Sequence, residues 1–252
     1  MTTPTTPPEP GDNIRLSIVL PAYNEEANIE VAIRNATDAA SKYTSEHEII
    51  VVDDGSRDAT AAIVNRLALD DARIRLVQHT VNEGYGAALK SGFLAAKMDL
   101  IFFTDADNQF DLDEIGEFLG LIDSVDVVAG YRIKRADPLR PRLNAKAWNY
   151  LVRALFYVPV RDIDCAFKLF RREVFDGLNI ESFGAMVNTE LMVKLGRSGF
   201  RVVELGVSHR PRTAGTARGA SLRVIVRAFV ELAYMHSRLS RMDSARTRRS
   251  AA

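Results

Sequence analysis

The chain has 252 residues, 47% apolar and 26% charged. It is long and apolar enough for one large domain, or for a domain with a C-terminal elaboration. Its single cysteine, Cys165, excludes an internal disulfide framework and a Cys-rich zinc site, and fits a reducing, cytoplasmic setting. The net charge of zero hides an asymmetry: residues 1–130 carry 9 Lys+Arg against 23 Asp+Glu, and the remainder carries 24 against 10. Two readings fit that split. Either two solvated faces of opposite sign dock on each other, or an acidic half handles a cation beside a basic half that meets anions.

Residues 1–14, rich in Pro and Thr, read as a disordered lead-in without the pattern of a signal peptide. Short apolar runs then alternate with helical patterns. Strands are expected over 15–21, 47–54, 73–79, 99–105 and 126–130, with helices over about 25–42, 58–69 and 85–97 between the first four. The runs are continuous rather than alternating, which predicts strands buried on both faces and a parallel, doubly wound α/β sheet. After residue 130 a basic linker, "YRIKRADPLRPR", leads to an amphipathic helix over about 143–157. A mixed segment "DCAFKLFRREVF", a helix near 189–197 and a strand "RVVELGV" follow. An Arg/Gly-rich turn, "HRPRTAGTARG", precedes a last helix over about 221–239. Arg223, Arg227, Glu231 and Arg238 give that helix a polar stripe, so it is expected to lie on the domain, in a dimer interface or on a membrane surface rather than to span a bilayer.

The polar residues of the first half gather at strand ends: "PAYNEE" (21–26), "DDGS" (53–56) and "TDADNQ" (104–109). In open parallel sheets such ends meet on one rim, where ligands bind. Asp105 and Asp107, with the Gln109 carbonyl, are hard oxygen donors suited to Mg²⁺ or Mn²⁺ beside a diphosphate. The chain has no G-x-x-x-x-G-K-[ST] loop and no G-x-G-x-x-G after its first strand, which disfavours a P-loop kinase and a dinucleotide oxidoreductase. The Gly-rich "NEGYGAALKSG" follows the third strand instead.

The motifs "SIVLPAYNEEANI", "EIIVVDDGSRDAT", "FFTDADNQFD", "VAGYRIKR" and "DCAFKLFRREVF", in this order, resemble the family 2 glycosyltransferases of the GT-A fold, and more closely the dolichyl- or polyprenyl-phosphate sugar synthases. The resemblance spans about 16–219. It implies a GT-A fold: a doubly wound, mostly parallel sheet with a Rossmann-like nucleotide half over 15–130, an acceptor half over 131–219, and a helix and basic tail over 220–252. Pro21, Tyr23, Glu25, Val52 and Asp54 would contact the base and ribose of the nucleotide, with Asp53 close by. Asp105, Asp107 and Gln109 would hold Mg²⁺ or Mn²⁺ on the diphosphate, Ala106 would pack on the sugar nucleotide, and Arg132 and Arg212 would reach phosphates. Tyr85 and Asn188 depart from the family pattern, each standing where relatives carry a basic residue.

The implied partners are a nucleotide-sugar donor (GDP-mannose or a UDP-sugar), a polyprenyl-phosphate acceptor and an anionic membrane surface at the inner face of the cell membrane, with no nucleic acid. A homodimer through the C-terminal helix is the competing use of that element. A lipid phosphate is already anionic at neutral pH, its second pKa being roughly 6, so an inverting transfer to it needs no strong base. A transferase acting on a hydroxyl would want one, and Asp162 and Asp164 are the candidates. A non-catalytic GT-A module is the third reading, against which the intact Asp105-Ala106-Asp107-x-Gln109 set argues.

Overall fold

The structure, a computed structural model, describes residues 13–133, 139–156, 158, 160–212 and 229–238. Most of the expected lead-in, part of the basic linker, the turn beyond Arg212, the first half of the last helix with Arg223 and Arg227, and the basic tail lie outside the described residues.

Seven strands form one sheet: β1 (Arg15–Ala22), β2 (Glu46–Asp53), β3 (Ile74–Gln78), β4 (Leu100–Thr104), β5 (Val127–Arg132), β6 (Phe167–Arg171) and β7 (Val202–Val207). Their order is β3-β2-β1-β4-β6-β5-β7. All neighbours run parallel except β6, which is antiparallel to both β4 and β5. The sheet is therefore mostly parallel, and its one reversed strand comes from the segment whose pattern looked mixed. Helices cover both faces, which is why the central strands are apolar without interruption. On one face α1 (Ile29–Tyr43) touches α2 (Thr60–Asp70) and α4 (Ile115–Ile122), while α3 (Tyr85–Ala95) touches β1, β2 and α6 (Val187–Arg197). The remaining helices are α5 (Leu139–Phe156) and the stretch 229–238.

Two of the differences from the sequence expectation have clear local reasons. The first helix starts at Ile29, not Glu25, because the Glu25 carbonyl accepts the N–H groups of Asn28 and Ile29, both at 2.8 Å, and Asn24 sits at φ 53°. The Glu25 side chain is thereby left at the rim, ahead of the helix. The second difference is α4, which no period announced in so short a run. Ile115, Phe118, Leu119 and Ile122 are buried at helical spacing, and Asp111 caps the turn before them by accepting the Asp113 N–H at 3.3 Å.

Chain order runs outward from β1 through β2 to β3, then returns to the other side of β1 at β4. The reversal puts the carboxyl ends of β1 and β4 side by side, the place where open α/β sheets bind ligands. One glycine sets the distance between layers there. A Cβ at Gly92 of α3 would come within 2.3 Å of Val19 Cγ1, so only glycine lets α3 lie this close to β1.

Candidate active site

β4 delivers its carboxylates through a tight turn. Asn108 adopts φ 58°, a left-handed conformation that asparagine tolerates, and its Nδ2 donates to the Asn28 carbonyl at 3.1 Å. Asp105 Oδ1 accepts the Tyr85 hydroxyl at 2.8 Å, and Asp107 Oδ1 accepts the Gln109 N–H at 3.2 Å. A segment from the far end of the chain lies along this turn. Phe110 bridges His209, Arg210 N–H donates to the Gln109 carbonyl at 2.7 Å, and Gln109 Nε2 donates to the Arg210 carbonyl at 3.0 Å. That pairing brings Arg212 to the rim, where Nη1 lies 3.4 Å from Asp107 Oδ2 and Nη2 bonds Glu25.

The electrostatics of the two carboxylates are uneven. Burial pushes the Asp105 carboxyl up to about 7; the charge of Asp107 adds to this, while the Tyr85 hydroxyl and the more distant Arg132 and Lys168 oppose it. Burial also raises Asp107, with Glu25 contributing, even though Arg212 pulls the other way. A carboxyl held above its ordinary range is one whose charge the surrounding protein leaves undercompensated.

The neighbouring acids on β2 are different. Asp53 is fully buried and accepts the Ser56 N–H and the Gln78 carboxamide, both at 3.1 Å. Asp54, 3% exposed, accepts the N–H groups of Glu83 at 2.9 Å and Gly84 at 2.8 Å, and faces His79 Nδ1 at 2.8 Å. The other ring nitrogen of His79 meets Ser91 at 2.9 Å. Asp54 thus pins the 82–84 turn, whose Gly84 has φ 105° and passes so close to the Phe183 carbonyl that a Cβ would lie 2.4 Å from it. Pro21 and Val52 are register partners in adjacent strands and both are buried, and Tyr23 is half-buried just beyond β1. Ala106 is 2% exposed and belongs to the core.

With this rim in place, comparison with known proteins gives a consistent answer. Residues 17–178 match the profile described as "Glycosyl transferase family 2". The chain belongs to that family. Glycosyltransferase AglD of Haloferax volcanii is 35% identical over 79% of this chain, which spans 34% of that protein. Two undecaprenyl-phosphate 4-deoxy-4-formamido-L-arabinose transferases are also similar. The Aeromonas hydrophila protein is 29% identical over 83% of this chain and 64% of its own length, and that of Pseudomonas fluorescens strain SBW25 is 30% identical over 83% and 61%. The chain therefore spans about a third of the first relative and less than two thirds of the others. Among solved structures, glucosyl-3-phosphoglycerate synthase from Mycobacterium tuberculosis, in complex with Mn²⁺ and UDP-glucose, superposes with a TM-score of 0.66 at 22% identity, covering 86% of this chain and 78% of that one. At that identity the likeness speaks for the fold, and it agrees with the GT-A architecture.

In this family 2 glycosyl transferase the donor set suits a hard cation only in part. Among the described residues no three His, Cys, Asp or Glu side chains gather into a complete metal cage. Two undercompensated carboxylates with a carboxamide nearby nonetheless fit Mg²⁺ or Mn²⁺, which take one or two protein carboxylates and fill the shell with substrate phosphates and water.

Arg132 and other polar and aromatic residues of the second half have partners of their own. Arg132 grips Asp162 with both arms, Nε to Oδ2 at 2.6 Å and Nη2 to Oδ1 at 2.7 Å. Asp162, named above as a candidate base, pairs with Arg132, and that pairing together with nearby acids holds the guanidinium above its ordinary range against the effect of burial. Glu190 accepts the N–H groups of Glu181 and Ser182 and pairs with Lys194 one turn on. Phe156 is buried, and Trp148 meets Phe229 edge-on with ring centres 5.4 Å apart. His209 packs on Phe110 at 5.2 Å between ring centres. Sequence reasoning passed over two contributors: Lys168, which is fully buried beneath the rim, and the bonding role of Tyr85. The signal for the lysine was a cation in the middle of "CAFKLF", an otherwise apolar strand.

Proposed function

We propose that this family 2 chain transfers a sugar from a nucleotide donor to a polyprenyl phosphate, with inversion, using Mg²⁺ or Mn²⁺ at Asp105 and Asp107. The observation that carries this reading is the undercompensated carboxylate pair at the β1–β4 reversal point. Bound there, the cation would neutralise the nucleoside diphosphate as it departs. Asp105 and Asp107 supply the anionic ligands, with Gln109 beside them.

Tyr23, half-buried just beyond β1, would line the nucleotide, and the buried Pro21 and Val52 would form the floor beneath it. Asp54 serves the same pocket indirectly, by fixing the turn at Glu83 and Gly84. Arg212 offsets the charge of Glu25 and Asp107 and supplies a cation for donor or acceptor phosphates. The acceptor phosphate brings its own negative charge, so the residues around it need to position it rather than deprotonate it. The hydroxyl-acceptor alternative loses a candidate base, since both oxygens of Asp162 are engaged by Arg132. The relatives named for undecaprenyl phosphate support the lipid acceptor.

A lipid substrate calls for a membrane surface. No described helix is long and apolar enough to cross a bilayer. The helix of residues 229–238 instead exposes Phe229, Val230 and Tyr234; Phe183, which lines one cavity with Val230 and Tyr234, is exposed too, as is Tyr150. Such aromatic and aliphatic side chains suit a peripheral seat at the headgroup layer, on the cytoplasmic face, where basic residues add roughly 1 kcal/mol each on anionic lipid.

A screen of radiolabelled GDP-mannose, UDP-glucose and UDP-N-acetylhexosamines with polyprenyl phosphate tests the reading. It expects label to move into the organic phase with one donor, only with divalent cation present. Label appearing only in water-soluble glycosides would overturn the lipid acceptor, and full turnover in excess EDTA would overturn the metal.

A further inference from the structure

Lys168 is the one lysine among the largest fully buried side chains, and it lies on β6 in register with Phe103, one residue before the end of β4. A buried ammonium is costly unless its protons find acceptors. Here they do: Nζ donates to the carbonyls of Ile163, at 3.0 Å, and Cys165, and to Asn188 Oδ1 at 3.2 Å, while the group lies 5.3 Å from the centre of the Phe103 ring. An ammonium can only donate. It therefore fixes the orientation of the Asn188 amide, with the oxygen towards Lys168 and the NH₂ directed elsewhere. The Asn188 side chain in turn lies beside Tyr85, where it favours the ionised phenol, as an amide N–H turned towards the phenol oxygen does, and the Tyr85 O–H donates to Asp105 Oδ1 at 2.8 Å. The polarity is consistent along the line: the ammonium donates to the amide oxygen, which leaves the amide NH₂ to turn towards the phenol, and the phenol O–H donates to the carboxylate. The elements involved, β6, α6, α3 and the end of β4, come from four places in the sequence.

We infer that Lys168 and Asn188 are positioning residues for the cation site, acting on Asp105 through the hydroxyl of Tyr85. The relay directs the Tyr85 proton to one carboxylate oxygen and holds Asp105 in one orientation, so that its second oxygen faces whatever cation binds. The tyrosine and the asparagine thus replace direct charges near the site with a fixed line of dipoles ending in a buried charge. The existence of the relay is independent of the proposed metal; its consequence for binding rests on that reading.

The test uses Tyr85→Phe, Asn188→Leu and the double variant of the full chain; Lys168 itself is left intact because its replacement risks the fold. In urea unfolding of the metal-free proteins, the two substitutions are expected to be non-additive, the second costing clearly less once the first is present. Additive losses would overturn the relay. In Mn²⁺ titrations with UDP present, followed by the electron paramagnetic resonance of free Mn²⁺, Tyr85→Phe is expected to weaken binding about tenfold, in the range of groups that orient metal ligands. Asn188→Leu should weaken it by a smaller factor and add nothing to Tyr85→Phe. Equal Mn²⁺ affinity in all four proteins would overturn the positioning role. If wild type bound no Mn²⁺, the metal reading would fall, and the metal-free cycle would still decide whether the relay exists.

Discussion

The ends of β2 and β4 each carry a pair of acids, yet they do opposite things. Asp53 and Asp54 are closed: between them they accept three backbone N–H groups and one carboxamide, and Asp54 also meets His79. Asp105 and Asp107 are open: burial raises both, and Tyr85, Gln109 and Arg212 compensate only partly. Adjacency in sequence does not distinguish the two; the count of donors around them does. A carboxylate whose donors are all internal builds the fold, and one short of positive charge is available for a ligand.

The sharpest way to break the comparison is to neutralise the open pair. Asp107→Asn keeps the volume and removes the charge. Transfer activity is expected to fall about a hundredfold to a thousandfold, the range for deleting one electrostatic stabiliser. The melting temperature should stay within a few degrees of wild type. Loss of fold rather than activity would mean that Asp107 is closed too.

Asp54→Ala should do the reverse. It strands the Glu83 and Gly84 N–H groups and the His79 ring, and leaving buried partners unsatisfied costs about 1–3 kcal/mol each, so a loss of roughly 3 kcal/mol is expected in urea unfolding. Nucleotide affinity should fall only as the 82–84 turn loosens. A variant of unchanged stability that no longer binds nucleotide would return Asp54 to direct contact with the base.

What the sequence made legible follows from this. Continuous apolar runs gave the strands, and polar residues at their ends gave the rim. The antiparallel β6 and the short α4 were hidden, the first because its apolar residues look alike in either direction, the second because its eight residues are too few for a clear period. Partnerships across the chain were also hidden: Arg212 reaches Glu25 over 187 positions, and nothing local to "HRPR" or "YNEE" announces it.

A third acid provides the smallest effect and a control far from the rim. Glu48, near the start of β2, is buried, which by itself would raise its carboxyl, but Ser17, the Lys97 N–H and Arg75 together hold it below its ordinary value. A lowered folded pKa gives stability that is present above the unfolded value of about 4.5 and lost as pH falls through the folded value. Glu48→Gln should therefore flatten the acid side of the stability curve measured by urea unfolding below pH 4.5, and leave transfer activity at neutral pH unchanged. An unchanged acid limb would show that the pairing contributes nothing.

The central claim, that the β4 pair is open because it receives a cation with a nucleoside diphosphate, is tested most directly by calorimetric titration of UDP and of GDP with and without Mn²⁺, on wild type and Asp107→Asn. The account predicts that Mn²⁺ strengthens binding of at least one nucleotide to wild type by tenfold or more, in keeping with the charge it neutralises, and that the gain disappears in Asp107→Asn. Nucleotide affinity that is measurable in wild type but indifferent to Mn²⁺, or a gain that persists in Asp107→Asn, would contradict it.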